Sequence, residues 1–129
     1  MKLIEEHGKS TIIVKNNVIH ITLNGAFNEY GANKVSKNTK EIIRAFKNRR
    51  FMILTNLLSL DGATPEAFNE SNEFNEWLNK RTMIAKAIVI TSQAIKAIVQ
   101  QRVPSQAFQN IEYFENENDA INWLTKFCC

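Results

Sequence analysis

Hydrophobic and polar positions alternate along the start of the chain and then change period. In "STIIVKNNVIHITLNG", Ile12 and Val14 precede the pair Asn16-Asn17, and Ile19, Ile21 and Leu23 alternate with His20 and Thr22 after it. This spacing predicts a β-hairpin, because asparagine tolerates the left-handed backbone of tight hairpin turns. Gly25 is expected to end the second strand. From about Asn28 to Lys47 the period becomes helical, with Val35, Thr39, Ile42, Ile43 and Phe46 on one face. Lys37, Lys40, Arg44 and Lys47 fall on the opposite, basic face. "FMILTNL" then opens on an unbroken apolar run, as in a central strand covered on both sides.

The stretch "SLDGATPEAFNE", Ser59 to Glu70, reads as strand end, tight turn and helix start. Thr64 suits the N-cap, Pro65 the first helical position, and Glu66 and Glu70 the positive end of the helix dipole. Gly62 reads as a turn residue that needs positive φ. The inward face of this helix is Ala67, Phe74 and Leu78, with Phe68 and Trp77 towards its edges. "AKAIVIT" is a further covered strand. "SQAIKAIVQQRV" is a helix capped by Thr91 or Ser92, facing inward through Ile95, Ile98 and Val99, and it stops before Pro104. "NIEYF" is a short last strand, and "NENDAINWLTKF" a closing helix with an asparagine cap and the apolar set Ala120, Ile121, Leu124 and Phe127. The order β-β-α-β-α-β-α-β-α implies an α/β fold: a mixed sheet with a leading hairpin, a parallel centre and about four helices.

Composition narrows the class. The chain has 129 residues, 44% hydrophobic and 22% charged, which fits one domain over residues 1–129 with a real core. No apolar run is long enough to span a membrane, and "MKLIEEHGKS" is not a signal peptide. Cys128 and Cys129 are adjacent, and with no other cysteine in the chain they point to a reduced, cytoplasmic protein. The net charge is a mild +3 but unevenly spread. Bases crowd Lys34 to Arg50, while Glu66, Glu70, Glu73 and Glu76 stand together without one.

The leading "VIHITLNGAFN", the central "MILTNLLSLDGATPEAF" and the closing "YFENENDAINWL" together resemble STAS domains. The resemblance is closest to the stand-alone SpoIIAA-like proteins of bacteria, which share features with the CRAL-TRIO lipid-binding fold. It extends from about Ser10 to Phe127 and implies a non-catalytic regulatory function through a protein partner. In STAS antagonists a serine in an Asp-Ser-x-Gly turn is phosphorylated. Here Asp61 matches the aspartate, but Gly62 stands where the serine is expected and Ala63 follows. The resemblance therefore puts a partner surface at Ser59, Asp61, Gly62, Thr64 and Glu66, without the usual phosphoacceptor. Ser59 and Thr64 are the hydroxyls that remain nearby, and a phosphate on Thr64 would meet a helix N-terminus.

Catalytic chemistry finds no support. His7 and His20 lie on separate elements, so neither a zinc site nor a triad can be built from spacing, and no cofactor is expected. His20 reads as a hydrogen-bonded or solvated side chain on an edge-type strand. The four glycines form no phosphate-binding loop. Glu66, Glu70 and Glu73 share a helical face, which reads as a solvated one. Two further partner readings stay open. Phe68, Phe74, Trp77 and Met83 could line a site for a small apolar, lipid-like ligand. The basic face Lys37, Lys40, Arg44 and Lys47 could meet phosphates, or the acidic helix of a second copy in a homodimer. Nucleic acid fits it less well, since no aromatic residues interleave with those bases.

Overall fold

The computed structural model describes residues 7–127, so Cys128 and Cys129 lie outside the described residues. Strands β1 (Lys9–Lys15) and β2 (Val18–Phe27) form the expected hairpin, Lys15 opposite Val18 and Asn16 at φ 56 in the turn. Helix α1 (Glu29–Ala45) follows, then β3 (Phe51–Ala63), α2 (Pro65–Leu78), β4 (Met83–Val89), α3 (Gln93–Arg102), β5 (Ile111–Phe114) and α4 (Glu117–Thr125). The sheet has the order β1-β2-β3-β4-β5, with the β1–β2 pair antiparallel and the other pairs parallel. This is the mixed α/β fold that the alternation of strand and helix periods implies.

The two-residue period of the strands decides which helix covers which face. Ile19, Ile21, Phe51 and Ile53 point to the side taken by α1 and α2 and pack with Ile43, Phe46 and Leu78. Further along the strands, Phe27, Leu57, Leu60 and Ile88 meet Ala67 of α2, with Ile95 of α3 packed against them. Met52, Leu54, Ala85, Ala87 and Val89 point to the other side and pack against Ala120 and Leu124 of α4. The alanines of β4 on that side let α4 lie close to the sheet. Each Leu or Ile so buried contributes about 1.5–3 kcal/mol.

Each long helix is started by a side-chain cap. Asn28 Oδ1 accepts from Gly31 N, Thr64 Oγ1 from Ala67 N, Ser92 Oγ from Ile95 N and Asn116 Oδ1 from Asp119 N. Gly31 has a second role: a side chain there would run into the His7 carbonyl, so its bare backbone lets the chain ahead of β1 dock on the first turn of α1.

Several boundaries differ from the pattern reading. β2 continues two residues past Gly25, which takes φ +84 at a bulge instead of ending the strand. α1 ends at Ala45, so Lys47, at φ 51, lies in the turn beyond the basic helical face. Ile98 and Ile121 are exposed, 42% and 38%, because α3 and α4 each cover the sheet with a narrower stripe than their apolar content suggests. A 3₁₀ turn at Pro104–Phe108, which periodicity does not reveal, carries the chain from α3 to β5. β1, not β2, is the sheet edge, so His20 is half-buried on an interior strand.

Candidate functional site

The stretch from Ser59 is strand before it is turn. β3 runs on to Ala63, pairing Ser59 with Asn24, Leu60 with Gly25, Gly62 with Ala26 and Ala63 with Phe27. Asp61 is the extra residue of a bulge between the Leu60–Gly25 and Gly62–Ala26 pairs. Gly62, at φ +158, sits at the edge of the range that side chains avoid, and nothing lies within 4 Å of where its Cβ would stand. Ser59, Asp61, Thr64 and Glu66 are exposed and Gly62 half-buried, so all five candidates lie at one rim, where β3 hands over to α2. Thr64 is engaged in the fold: its N–H donates to Phe27 O at 3.0 Å while its hydroxyl caps α2 at 3.1 Å.

Beneath α2 lies a cavity of about 130 Å³, enclosed by α1, α2, α3 and the strands β2, β3 and β4. Its wall is mostly aliphatic, with Phe27, Phe68 and Phe74 as the aromatic members. Trp77 and Met83 do not reach it, contrary to the expectation that all four line one site. Met83 packs at the far end of the core, beside Phe46 and Phe51. Trp77 turns outward, stacked on Phe74 at 6.1 Å between centroids.

Among the polar residues of this lining, Lys86 and Thr39 come from opposite layers, the sheet and α1. Lys86 on β4 is 3% exposed, and its Nζ donates to Asn75 Oδ1 of α2 at 2.6 Å. Burial alone pushes its ammonium down to about 7 from an ordinary 10.5, because a charge loses its water in this interior. Thr39 of α1 is fully buried, and its Oγ1 has no hydrogen-bond partner among the described residues. Asn75 belongs to an asparagine row on α2 with Asn72 and Asn79. Asn72 Oδ1 accepts from Ser105 N and Oγ at 3.0 and 2.6 Å, Asn79 Nδ2 donates to Ser105 O at 2.9 Å, and Gln109 Nε2 donates to both Asn75 and Asn79. The row fastens the 3₁₀ turn to α2 and fixes the acceptor that faces Lys86.

The basic face is changed by its company. Arg81 lies 4.1 Å from the centroid of the Trp77 ring, Lys40 5.4 Å and Arg44 5.6 Å. An aromatic ring does interleave with these bases, supplied by α2 instead of α1, and it holds all three by cation–π contact. Lys37 remains exposed, and Lys47 stands apart in the turn. Of the acidic row, Glu70 is tied to α1, accepting from Asn33 Nδ2 at 2.9 Å across the α1–α2 cleft. His20 is pushed below its ordinary value, by burial first and by Lys15 second, with Glu117 opposing. Among the described residues no three His, Cys, Asp or Glu side chains could hold a metal ion, and no helix is long and apolar enough to cross a membrane.

The family model described as SpoIIAA-like matches residues 18–125. The chain belongs to the SpoIIAA-like family. No curated protein matches it in sequence. Its fold is similar to that of an uncharacterized SpoIIAA-like protein of the DUF3478 family from Shewanella loihica PV-4, with TM-score 0.69, 14% identity, and 96% of this chain and 98% of that one covered. An anti-sigma factor antagonist from Mycobacterium paratuberculosis superposes with TM-score 0.67 at 10% identity over 92% and 95% of the two chains. The anti-sigma factor antagonist SpoIIAA in its unphosphorylated form gives 0.61 at 12% identity over 92% and 98%. These likenesses show a SpoIIAA-like fold along nearly the whole chain.

In this SpoIIAA-like protein the structure places the five rim residues side by side and separates the four apolar candidates that the pattern reading had grouped. It passed over Lys86, Thr39 and Asn75. The signal for Lys86 was present: a lone charge inside "AKAIVIT", a strand otherwise read as covered on both sides.

Proposed function

We propose that this chain is a non-catalytic regulatory module that acts in the cytoplasm as a single domain, by binding a protein partner at the rim where β3 meets α2. The observation that carries this reading is the exposure of Ser59 and Asp61 on a bulged strand end, beside Leu58, itself 44% exposed. These side chains sit where two elements join yet contribute little to the core, which suits recognition better than stability. The anti-sigma factor antagonists among its structural neighbours support a protein partner. Gly62 occupies the place expected for a phosphoacceptor serine, so partner choice here works without a phosphate at that residue. A photo-crosslinking amino acid at Ser59 or Asp61, expressed in the native host, is expected to trap one discrete partner. The same probe at Gln101, exposed at the end of α3, is expected to trap none. Equal trapping at both places would remove the rim from consideration.

A second reading is favoured by the cavity beneath α2, with Phe68 and Phe74 in its wall. It makes the module a binder of a small, largely apolar ligand that reports its presence through α2. Both readings use the same helix, whose first turn forms the rim and whose underside roofs the cavity.

A further inference from the structure

We propose that the cavity beneath α2 binds a small monocarboxylate, whose anionic head pairs with Lys86 and whose hydrocarbon part fills the aliphatic enclosure. This rests on the ligand reading given above and goes beyond it by assigning the chemical class.

Size comes first. An engineered cavity of about 150 Å³ lined by aliphatic side chains takes up benzene, so about 130 Å³ suits a six-carbon chain or one ring. A long acyl chain exceeds this volume.

Charge comes second. Lys86 Nζ has three N–H donors and makes one hydrogen bond, to the neutral oxygen of Asn75. Around it stand Asn75 from α2, Ile53 from β3, Ile111 from β5 and Gln109 ahead of β5, none of which titrates. Among the described residues no carboxylate pairs with it. A buried ammonium without a counter-charge is costly, and a carboxylate in the enclosure supplies one charge against one. A phosphate dianion would leave an excess negative charge in the same apolar wall. A neutral alcohol would leave the lysine uncompensated.

The third argument is Thr39. Its hydroxyl, fully buried in the same lining and without a partner, is a further hydrogen-bonding group for an occupant. Unmatched buried hydroxyls are uncommon enough to need a reason, and a polar ligand atom is one. Because burial lowers Lys86 to about 7, binding at about pH 8 must draw a proton onto the amine.

The experiment is calorimetric titration of the full chain at about pH 6.5 with hexanoate and, separately, hexan-1-ol, an uncharged analogue of the same chain length. Hexanoate is expected to bind about tenfold or more tightly than the alcohol. Its shifts in an amide NMR spectrum should centre on Thr39, Ile53 and Ile88. Lys86→Met should remove the preference for the acid while leaving alcohol binding within about threefold. Thr39→Val should weaken hexanoate by a smaller factor. Equal affinity for acid and alcohol, unchanged by Lys86→Met, would overturn the anion assignment and leave the ligand reading standing. Binding of neither compound, up to the solubility of each, would overturn both. The acid-to-alcohol ratio in the unmodified chain decides between these outcomes even if a variant fails to fold.

Discussion

Lys86 Nζ lies 2.6 Å from Asn75 Oδ1, and this bond joins the centre of the sheet to the helix that roofs the cavity. The lysine is flanked by Ile53 on β3 and Ile111 on β5, so its charge enters an otherwise apolar row of the sheet. Asn75 is held in turn by Gln109 at 3.1 Å and by its own bond to Ser71 O at 2.9 Å. The arrangement orients one acceptor towards a cation that burial disfavours. It is poorly suited to stability and well suited to waiting for an anion.

Lys86→Met is therefore expected to stabilise the protein. The folded form holds the amine at about 7 and the unfolded form near 10.5. Between those values the unfolded chain binds a proton that the folded chain does not, so stability rises with pH across that window. Below about 7 both forms are protonated and the full penalty is present, at most roughly 5 kcal/mol from the size of the shift. Asn75 Oδ1 keeps Gln109 as a donor in the variant, so no acceptor is orphaned. Urea unfolding at about pH 6 and about pH 10 should show the variant ahead by several kcal/mol in acid and level in base. A constant difference at both pH values would contradict the burial of the charge.

Asn75→Ala acts in the opposite direction. It strips Lys86 of its acceptor and Gln109 of one of two, and it enlarges the cavity. A loss of about 1–3 kcal/mol is expected, larger at about pH 6, where the lysine is charged, than at about pH 10. Unfolding midpoints of this variant at the two pH values measure the difference directly.

The elements were legible because their information is local. Asn28, Thr64, Ser92 and Asn116 cap the helices they precede, and the alternation in Ile19-His20-Ile21 assigns faces before any tertiary contact is known. The cavity was half legible: Phe68 and Phe74 line it, but Trp77, three positions after Phe74, rotates to the basic side. A hundred-degree turn per residue spreads α2 across two environments, and which edge faces which depends on α1, an element distant in sequence. Lys86 and Thr39 become neighbours of one space only when β4 and α1 meet across it. The β3 extension past Leu57 depends on pairing with β2, which turn-forming residues such as Asp61 and Gly62 conceal.

Thr64→Ala should lower stability by about 1 kcal/mol through loss of the bond to Ala67 N, while Thr64→Asp should retain the cap and meet the helix dipole favourably. Chemical denaturation separates the two. If aspartate were as damaging as alanine, the capping assignment for Thr64 would be wrong.

Trp77→Ala should destabilise by about 2 kcal/mol, from lost half-buried area and from cation–π contacts released on Arg81, Lys40 and Arg44. Because Trp77 lies outside the cavity lining, hexanoate affinity should change little. Phe68→Ala, which opens the cavity wall, should alter that affinity. Paired denaturation and calorimetry on the two variants test the division of the aromatic residues.

The rim makes the most direct prediction about regulation. Asp61 is exposed, projects from a bulge and makes no bond that holds the sheet register, so Asp61→Lys should leave stability within about 0.5 kcal/mol. If the partner reads this rim, reversing its charge at the centre should weaken partner binding by about tenfold or more, largely through faster dissociation. Ser59→Asp, two residues earlier on β3, should act in the same direction only if the partner presents acidic or apolar groups there. Surface plasmon resonance with the trapped partner distinguishes these cases, with Glu112, exposed on β5, mutated to Lys as the charge-matched control. Equal losses for Asp61→Lys and Glu112→Lys would mean that net charge and not the rim governs binding. A loss confined to Asp61 would tie regulation to the bulge that carries β3 into α2, and through α2 to whatever occupies the cavity beneath it.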